Sequence, residues 1–119
     1  MAVLATLNPD GSPHLTVVWY ELRGDEIVFN TTAPRAKARN LSRDPRASIL
    51  IGDISAYIRI GGSARVVATG AKALEDIRRI GVAYEGAAAT ERNVRELWSK
   101  QERVTYGLSI SRVYAYGVE

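Results

Sequence analysis

The sequence predicts a mainly β protein with short helices, an α+β chain whose six antiparallel strands curl into a small closed or half-closed barrel. Three observations predict it. Short apolar or alternating runs recur at residues 2–7, 13–22, 26–31, 46–52, 56–68 and 104–111, each bounded by turn residues. The longest run carries Gly61-Gly62 in its middle, a means of bending a strand. Helical periodicity is confined to three short stretches.

Residues 2–7 (Ala-Val-Leu-Ala-Thr-Leu) form a nearly continuous apolar run, as expected of a buried strand. Asn8-Pro9-Asp10-Gly11 is a turn, with Pro fixing φ and Gly accepting a positive φ. The next strand, 13–22, contains Val17-Val18-Trp19-Tyr20, with Trp19 and Tyr20 on opposite faces. Gly24-Asp25 turns the chain into 26–31, so the first three strands read as a meander of two hairpins. Pro34 then suits the first turn of a helix running to about Arg43 and stopping before Asp44-Pro45.

Residues 46–52 return to strand, and 56–68 alternate, with Ile58, Ile60, Ala64, Val66 and Ala68 on one face. A second helix over 71–84 turns Leu74, Ile77, Ile80 and Tyr84 to one side, with Glu75 spaced to pair with Arg79. Gly86-Ala87-Ala88-Ala89 reads as a loop, and Thr90 as the cap of a third helix to about Gln101, striped by Val94, Leu97 and Trp98. The final strand alternates Val104, Tyr106, Leu108 and Ile110 against small and polar residues.

A chain of 119 residues is expected to form a single domain, 1–119, and its 46% hydrophobic content suits a folded protein. It has no apolar run near the roughly 20 residues of a membrane span and no charged-then-apolar leader, so a cytoplasmic residence is expected. The absence of Cys excludes disulfides and thiolate chemistry. A lone histidine, His14, excludes a multi-histidine metal site in one subunit, so no metal ligand is assigned; nor does any pattern assign a catalytic dyad or triad.

The charge is concentrated. Residues 34–46 hold five basic side chains against one acidic, a net of +4, while the rest of the chain carries eleven against twelve. A charged helix face is ordinarily solvated surface. Here Arg35 and Lys37 fall at a helix N-terminus, where cations oppose the helix dipole and bare N–H groups already favour an anion. A phosphate-binding role accounts for both. Arg39 and Arg43 read as surface or contact charges.

In this order, Ala2–Leu7, Asp10-Gly11-x-Pro13, Val17-Val18-Trp19-Tyr20, Pro34-Arg35-Ala36-Lys37-x-Arg39-Asn40-Leu41 and Asp44-Pro45-Arg46-Ala47-Ser48 resemble the split β-barrel flavin- and deazaflavin-binding family related to pyridoxamine 5′-phosphate oxidase. The chain is most similar to the branch that uses coenzyme F-420, an 8-hydroxy-5-deazaflavin. Gly62-x-Ala64-x-Val66 and Ile110-Ser111-x-Val113-Tyr114 extend the likeness.

The resemblance implies a homodimer with two equivalent sites at its interface. It places Thr16, Val17, Val18 and Trp19 along the coenzyme ring, and Asn30 and Thr31 near the ribityl-phosphate. Lys37 falls on the basic phosphate ligand, Arg35 on the extra basic residue of the deazaflavin branch, and Ala36 between them. Tyr57 and Arg59 are candidates for the wall supplied by the partner chain, and the sequence departs from the family in one respect: members usually carry a helix ahead of the first strand, whereas here that strand begins almost at Met1. The implied activity is hydride transfer between the deazaflavin C5 and a small organic acceptor, chemistry carried by the coenzyme.

FMN, which also bears a phosphate, is the alternative cofactor. A protein that holds a flavin or haem-like ligand without turnover is a further alternative. A nucleic-acid-binding barrel would interleave basic and aromatic residues along one sheet face, a pattern met here only at Tyr57–Arg59, so neither nucleic acid nor membrane is expected as a partner.

Overall fold

The computed structural model describes residues 1–118. Eight strands form one antiparallel system: β1 (Ala2–Leu7), β2 (Pro13–Val18), β3 (Glu21–Arg23), β4 (Glu26–Thr32), β5 (Arg46–Gly52), β6 (Tyr57–Thr69), β7 (Arg103–Ser109) and β8 (Arg112–Tyr116). Three helices interrupt them: α1 (Ala36–Arg43), α2 (Gly70–Glu85) and α3 (Ala87–Glu96), the last followed by a short 3-10 helix at Trp98–Lys100. No helix among the described residues is long and apolar enough to cross a membrane.

The strand order is β2-β1-β5-β6-β7-β4-β3, with β8 also on β6. The two ends of that path, β2 and β3, are consecutive in the chain and joined only by Trp19-Tyr20. The expected strand 13–22 thus breaks in two: its first part pairs with β1 and its second with β4. Instead of a meander, the hairpins β1–β2 and β3–β4 sit at opposite ends of the path, and the sheet is a barrel split at Trp19-Tyr20.

The other strand beyond the expected six arises in the same way. Residues 103–116 run antiparallel to β6 for its whole length, interrupted at Ile110-Ser111, and so count as β7 and β8. β6 stays continuous through Gly61-Gly62, the expected place of a bulge or bend, and its register slips between Val66 and Ala68. Gly62 answers a different need. A Cβ there would lie 2.2 Å from the Ser109 carbonyl oxygen, so only glycine lets β7 pass that close.

The core follows from alternation. Leu4, Ile27, Phe29, Ile49, Ile60, Tyr106 and Leu108 fill the barrel, with Ala38 and Leu41 of α1 packed against them. Phe29 and Tyr106 stack at 5.5 Å. β7 is buried on both faces from Val104 to Leu108 because α2 covers its outer side. A second cluster, Ile77, Val94 and Trp98, lies under α2 and α3 and takes in Trp19 and Leu74. Tyr20 packs into the barrel core, so the junction residues do face opposite ways.

Three local expectations change. The segment expected as a loop at 86–89 is helical from Ala87, because a single Gly86 at φ 87° makes the corner and alanine is the best helix former. Thr90 is therefore buried inside α3 instead of capping it, and α3 ends at Glu96, not near Gln101, leaving Leu97 exposed. Glu75 pairs with Arg78, whereas Arg79 turns to Glu21 and Asp76.

Candidate functional site

Pro34 lies one residue ahead of the cap of α1; Arg35 itself is the N-cap, with extended backbone (φ −65°, ψ 151°) and no side-chain capping bond. The first amides of α1 thus have no side-chain acceptor. Beside them opens a cleft of about 210 Å³. Val17, Val18 and Trp19 form one wall at the split, and Asn30, Thr31 and Thr32 of β4 form another. Ile77 and Trp98 close the apolar end, while Arg35, Lys37 and Arg103 supply charge.

Of the nine residues expected at a coenzyme site, seven line this cleft: Val17, Val18, Trp19, Asn30, Thr31, Arg35 and Lys37. Thr16 and Ala36 are outside the lining. Thr16 still bears on it, because Lys37 Nζ donates to Thr16 Oγ1 at 3.4 Å, a long contact. Lys37 is only 8% exposed and has no carboxylate partner among the described residues. Burial, and then Arg35 and Arg103, push its ammonium below the ordinary lysine range. An unpaired buried cation is costly to hold.

Arg103 was not anticipated as part of this site. It opens β7 opposite Thr32, far in sequence from the basic segment. Its Nε donates to Asn30 Oδ1 at 2.9 Å and its Nη1 to Gln101 Oε1 at 2.7 Å, and the guanidinium lies 5.8 Å from the Trp98 ring centre. Burial, followed by repulsion from Arg35, lowers it to about 10. Asn30 also donates from Nδ2 to Ala73 O and Thr105 Oγ1, so its amide is fully engaged in holding Arg103 and α2. The sequence signal for Arg103 was faint: a lone arginine just after a tryptophan-bearing turn.

Trp19 stacks on Tyr84 and meets Trp98 edge-on at 6.3 Å. Both tryptophans of the chain therefore border the cleft. The other singled-out residues are elsewhere. His14 is half-buried on β2 opposite Thr6, with its Nδ1 lacking a partner, and does not line the cleft. Tyr57 and Arg59 belong to an aromatic group with Tyr114 and Tyr116 on β6 and β8.

Together these features define a split β-barrel with a cationic, aromatic-walled cleft at its seam. The family model described as pyridoxamine 5′-phosphate oxidase matches residues 1–116. The chain belongs to that family.

Among solved structures, it is similar to the conserved hypothetical protein Rv2991 from Mycobacterium tuberculosis, at 32% identity and TM-score 0.78, over 97% of this chain and 75% of that one. It is similar in fold to an F420 reductase, at 20% identity and TM-score 0.72, over 95% of this chain and 87% of the other. A heme binding protein from Mycobacterium smegmatis matches at 26% identity and TM-score 0.68; 98% of this chain corresponds to only 48% of that protein.

Proposed function

We propose that the cleft holds the phosphate-bearing tail of a flavin-type coenzyme, with coenzyme F-420 favoured over FMN, and that the protein is an oxidoreductase acting on a small organic acceptor. One observation carries this reading: Arg35, Lys37 and Arg103 converge on a cleft whose lining has no carboxylate. A buried lysine without a counter-charge fits a resident anion. The bound deazaflavin would supply hydride transfer at its C5, a reaction that asks of the protein binding and orientation. Lys37 and Arg103 would hold the phosphate end, Arg35 and the open α1 amides would meet it at the rim, and Val17 to Trp19 would flank the ring. The preference for F-420 rests on Arg35 beside Lys37 and on the likeness in fold to an F420 reductase.

The same reading makes the protein a homodimer. β8 is exposed along its length, and Leu15, Val17, Leu50, Tyr114 and Tyr116 leave a broad apolar face on β2, β5 and β8. Val17, 60% exposed, belongs both to that face and to the cleft, so a second copy seated there would roof the site.

Fluorescence titration with F-420, FMN and haem, on protein whose mass is determined by light scattering, tests both parts. Micromolar or tighter binding of F-420 by a dimer is expected. Preference for FMN would assign the alternative cofactor. Haem binding without flavin binding would sink the oxidoreductase reading in favour of a ligand-holding protein, as the similarity to a heme binding protein allows.

A further inference from the structure

We infer that Arg103 is the residue that makes the cleft select a ligand tail carrying two or more negative charges over one that is neutral or singly charged. This rests on the cleft being the coenzyme-tail site, and concerns what that tail must carry.

The geometry of Arg103 is that of a preset clamp. Asn30 accepts from its Nε and Gln101 from its Nη1, and the guanidinium carbon lies 5.8 Å from the Trp98 ring centre. Nη2 makes no hydrogen bond within the described residues, and Arg103 lines the cleft. Fixing the fork in advance means little conformational freedom is lost when an anion binds. The fixing is itself elaborate: Asn30 spends both donors, on Ala73 O and Thr105 Oγ1, to present its single acceptor to Arg103.

Charge counting gives the selectivity. Three cations face the cleft and no acid does. A ligand with one negative charge would leave two of the three without a counter-charge, and a neutral tail would leave all three; Lys37 is buried and Arg103 half-buried, while Arg35 is exposed. A phosphomonoester, at about −1.5 to −2 near neutral pH, neutralises most of the charge, as does a phosphodiester with carboxylates beyond it. Arg35 and Lys37 come from the start of α1 and Arg103 from the start of β7, so two separate elements bring charge to one cleft.

Because Trp19 and Trp98 both border the cleft, tryptophan emission reads occupancy without any turnover. The experiment titrates wild type, Arg103→Gln and Arg103→Lys with F-420, with the same deazaflavin lacking its phosphate tail, with FMN against riboflavin, and with inorganic pyrophosphate. Wild type is expected to favour the charged member of each pair at least tenfold. Arg103→Gln should lose at least tenfold for F-420, FMN and pyrophosphate, and less than twofold for the neutral tails. Arg103→Lys, which keeps charge without the fork, should fall between.

Equal losses for charged and neutral tails would reduce Arg103 to a support for the fold and overturn the inference, as would no loss at all. Should wild type bind pyrophosphate in an Arg103-dependent way but no flavin or deazaflavin, the coenzyme reading would fail while the charge selection stood. Binding of none of these ligands would overturn both.

Discussion

The indole of Trp19 lies flat on the phenol of Tyr84, ring centres 5.2 Å apart and planes 8° from parallel. The Tyr84 hydroxyl also accepts from the Tyr20 N–H at 3.2 Å and donates to the Tyr20 carbonyl at 3.3 Å. Helix α2 thereby grips the two residues at which the barrel is split. Tyr84→Ala is expected to destabilise the protein by about 2 kcal/mol, from about 0.5–1.5 kcal/mol for the ring pair and about 1 kcal/mol for the hydrogen bonding. Urea denaturation should show a lower midpoint at unchanged slope. A loss below about 0.5 kcal/mol, the scatter of ordinary surface substitutions, would mean the grip is ornamental.

Lys37 should trade stability for binding. Lys37→Met removes a buried cation and is expected to stabilise the ligand-free protein while weakening coenzyme affinity at least tenfold, or about 1.4 kcal/mol. The sign with pH follows from the lowered pKa, caused first by burial and then by Arg35 and Arg103. As pH rises through the folded pKa towards the ordinary 10.5, the native state sheds this proton before the unfolded chain does. Wild-type stability therefore gains on the variant with rising pH. Parallel denaturation curves at pH 7 and pH 10 check this; a gap that widens would contradict it.

The acid limb depends on the network that ties α2 to β3. Glu21 lies below its ordinary 4.5, chiefly through the Arg79 hydrogen bonds. For Asp76, burial pushes upward, but hydrogen bonds from Thr105, Arg79 and Arg23 prevail and hold it below 3.8. Both contribute stability that is present above those values and lost as pH falls through the folded pKa. Asp76→Asn should flatten the fall in thermal midpoint below about pH 4.5, whatever its effect at neutrality. An unchanged acid slope would remove Asp76 from the account.

The paired glycines of β6 should behave differently. Alanine at Gly62 meets the Ser109 carbonyl at 2.2 Å, a backbone atom that cannot step aside. Gly62→Ala is expected to cost roughly 1–3 kcal/mol or more. At Gly61 the nearest atom is the Arg112 guanidinium at 3.3 Å, a flexible end, so Gly61→Ala should cost well under that. Thermal midpoints of the two variants, compared directly, decide it.

Elements whose signals are local were legible in the sequence. β1 matches its apolar run residue for residue, and α1 ends where Asp44-Pro45 requires. What escaped was tertiary. Nothing in Val18-Trp19-Tyr20-Glu21 announces a change of partner strand, and the six-strand count stayed two short because bends leave alternation intact. The Ala87 helix start was hidden by a glycine read as a loop. In the site, the contiguous segment from Arg35 to Lys37 was visible as a charge cluster. Arg103 was not, because its place in the cleft is set by the β4–β7 register.

The break at Trp19-Tyr20 also sets an order of events. β2 and β3 are neighbours in sequence yet the two ends of the hydrogen-bonded path, so a complete seam requires β1, β5, β6, β7 and β4 to be aligned, and its closure is expected late in folding. Closure is then a late step in a topology of long-range contacts, which folds slowly. Tyr84→Ala should leave the refolding rate near wild type and speed unfolding, the signature of contacts made after the rate-limiting barrier. Stopped-flow measurements on both limbs would show it. Since the cleft lies on that same seam, whatever fills it would act as a latch, and occupancy would be felt first as a slower unfolding clock.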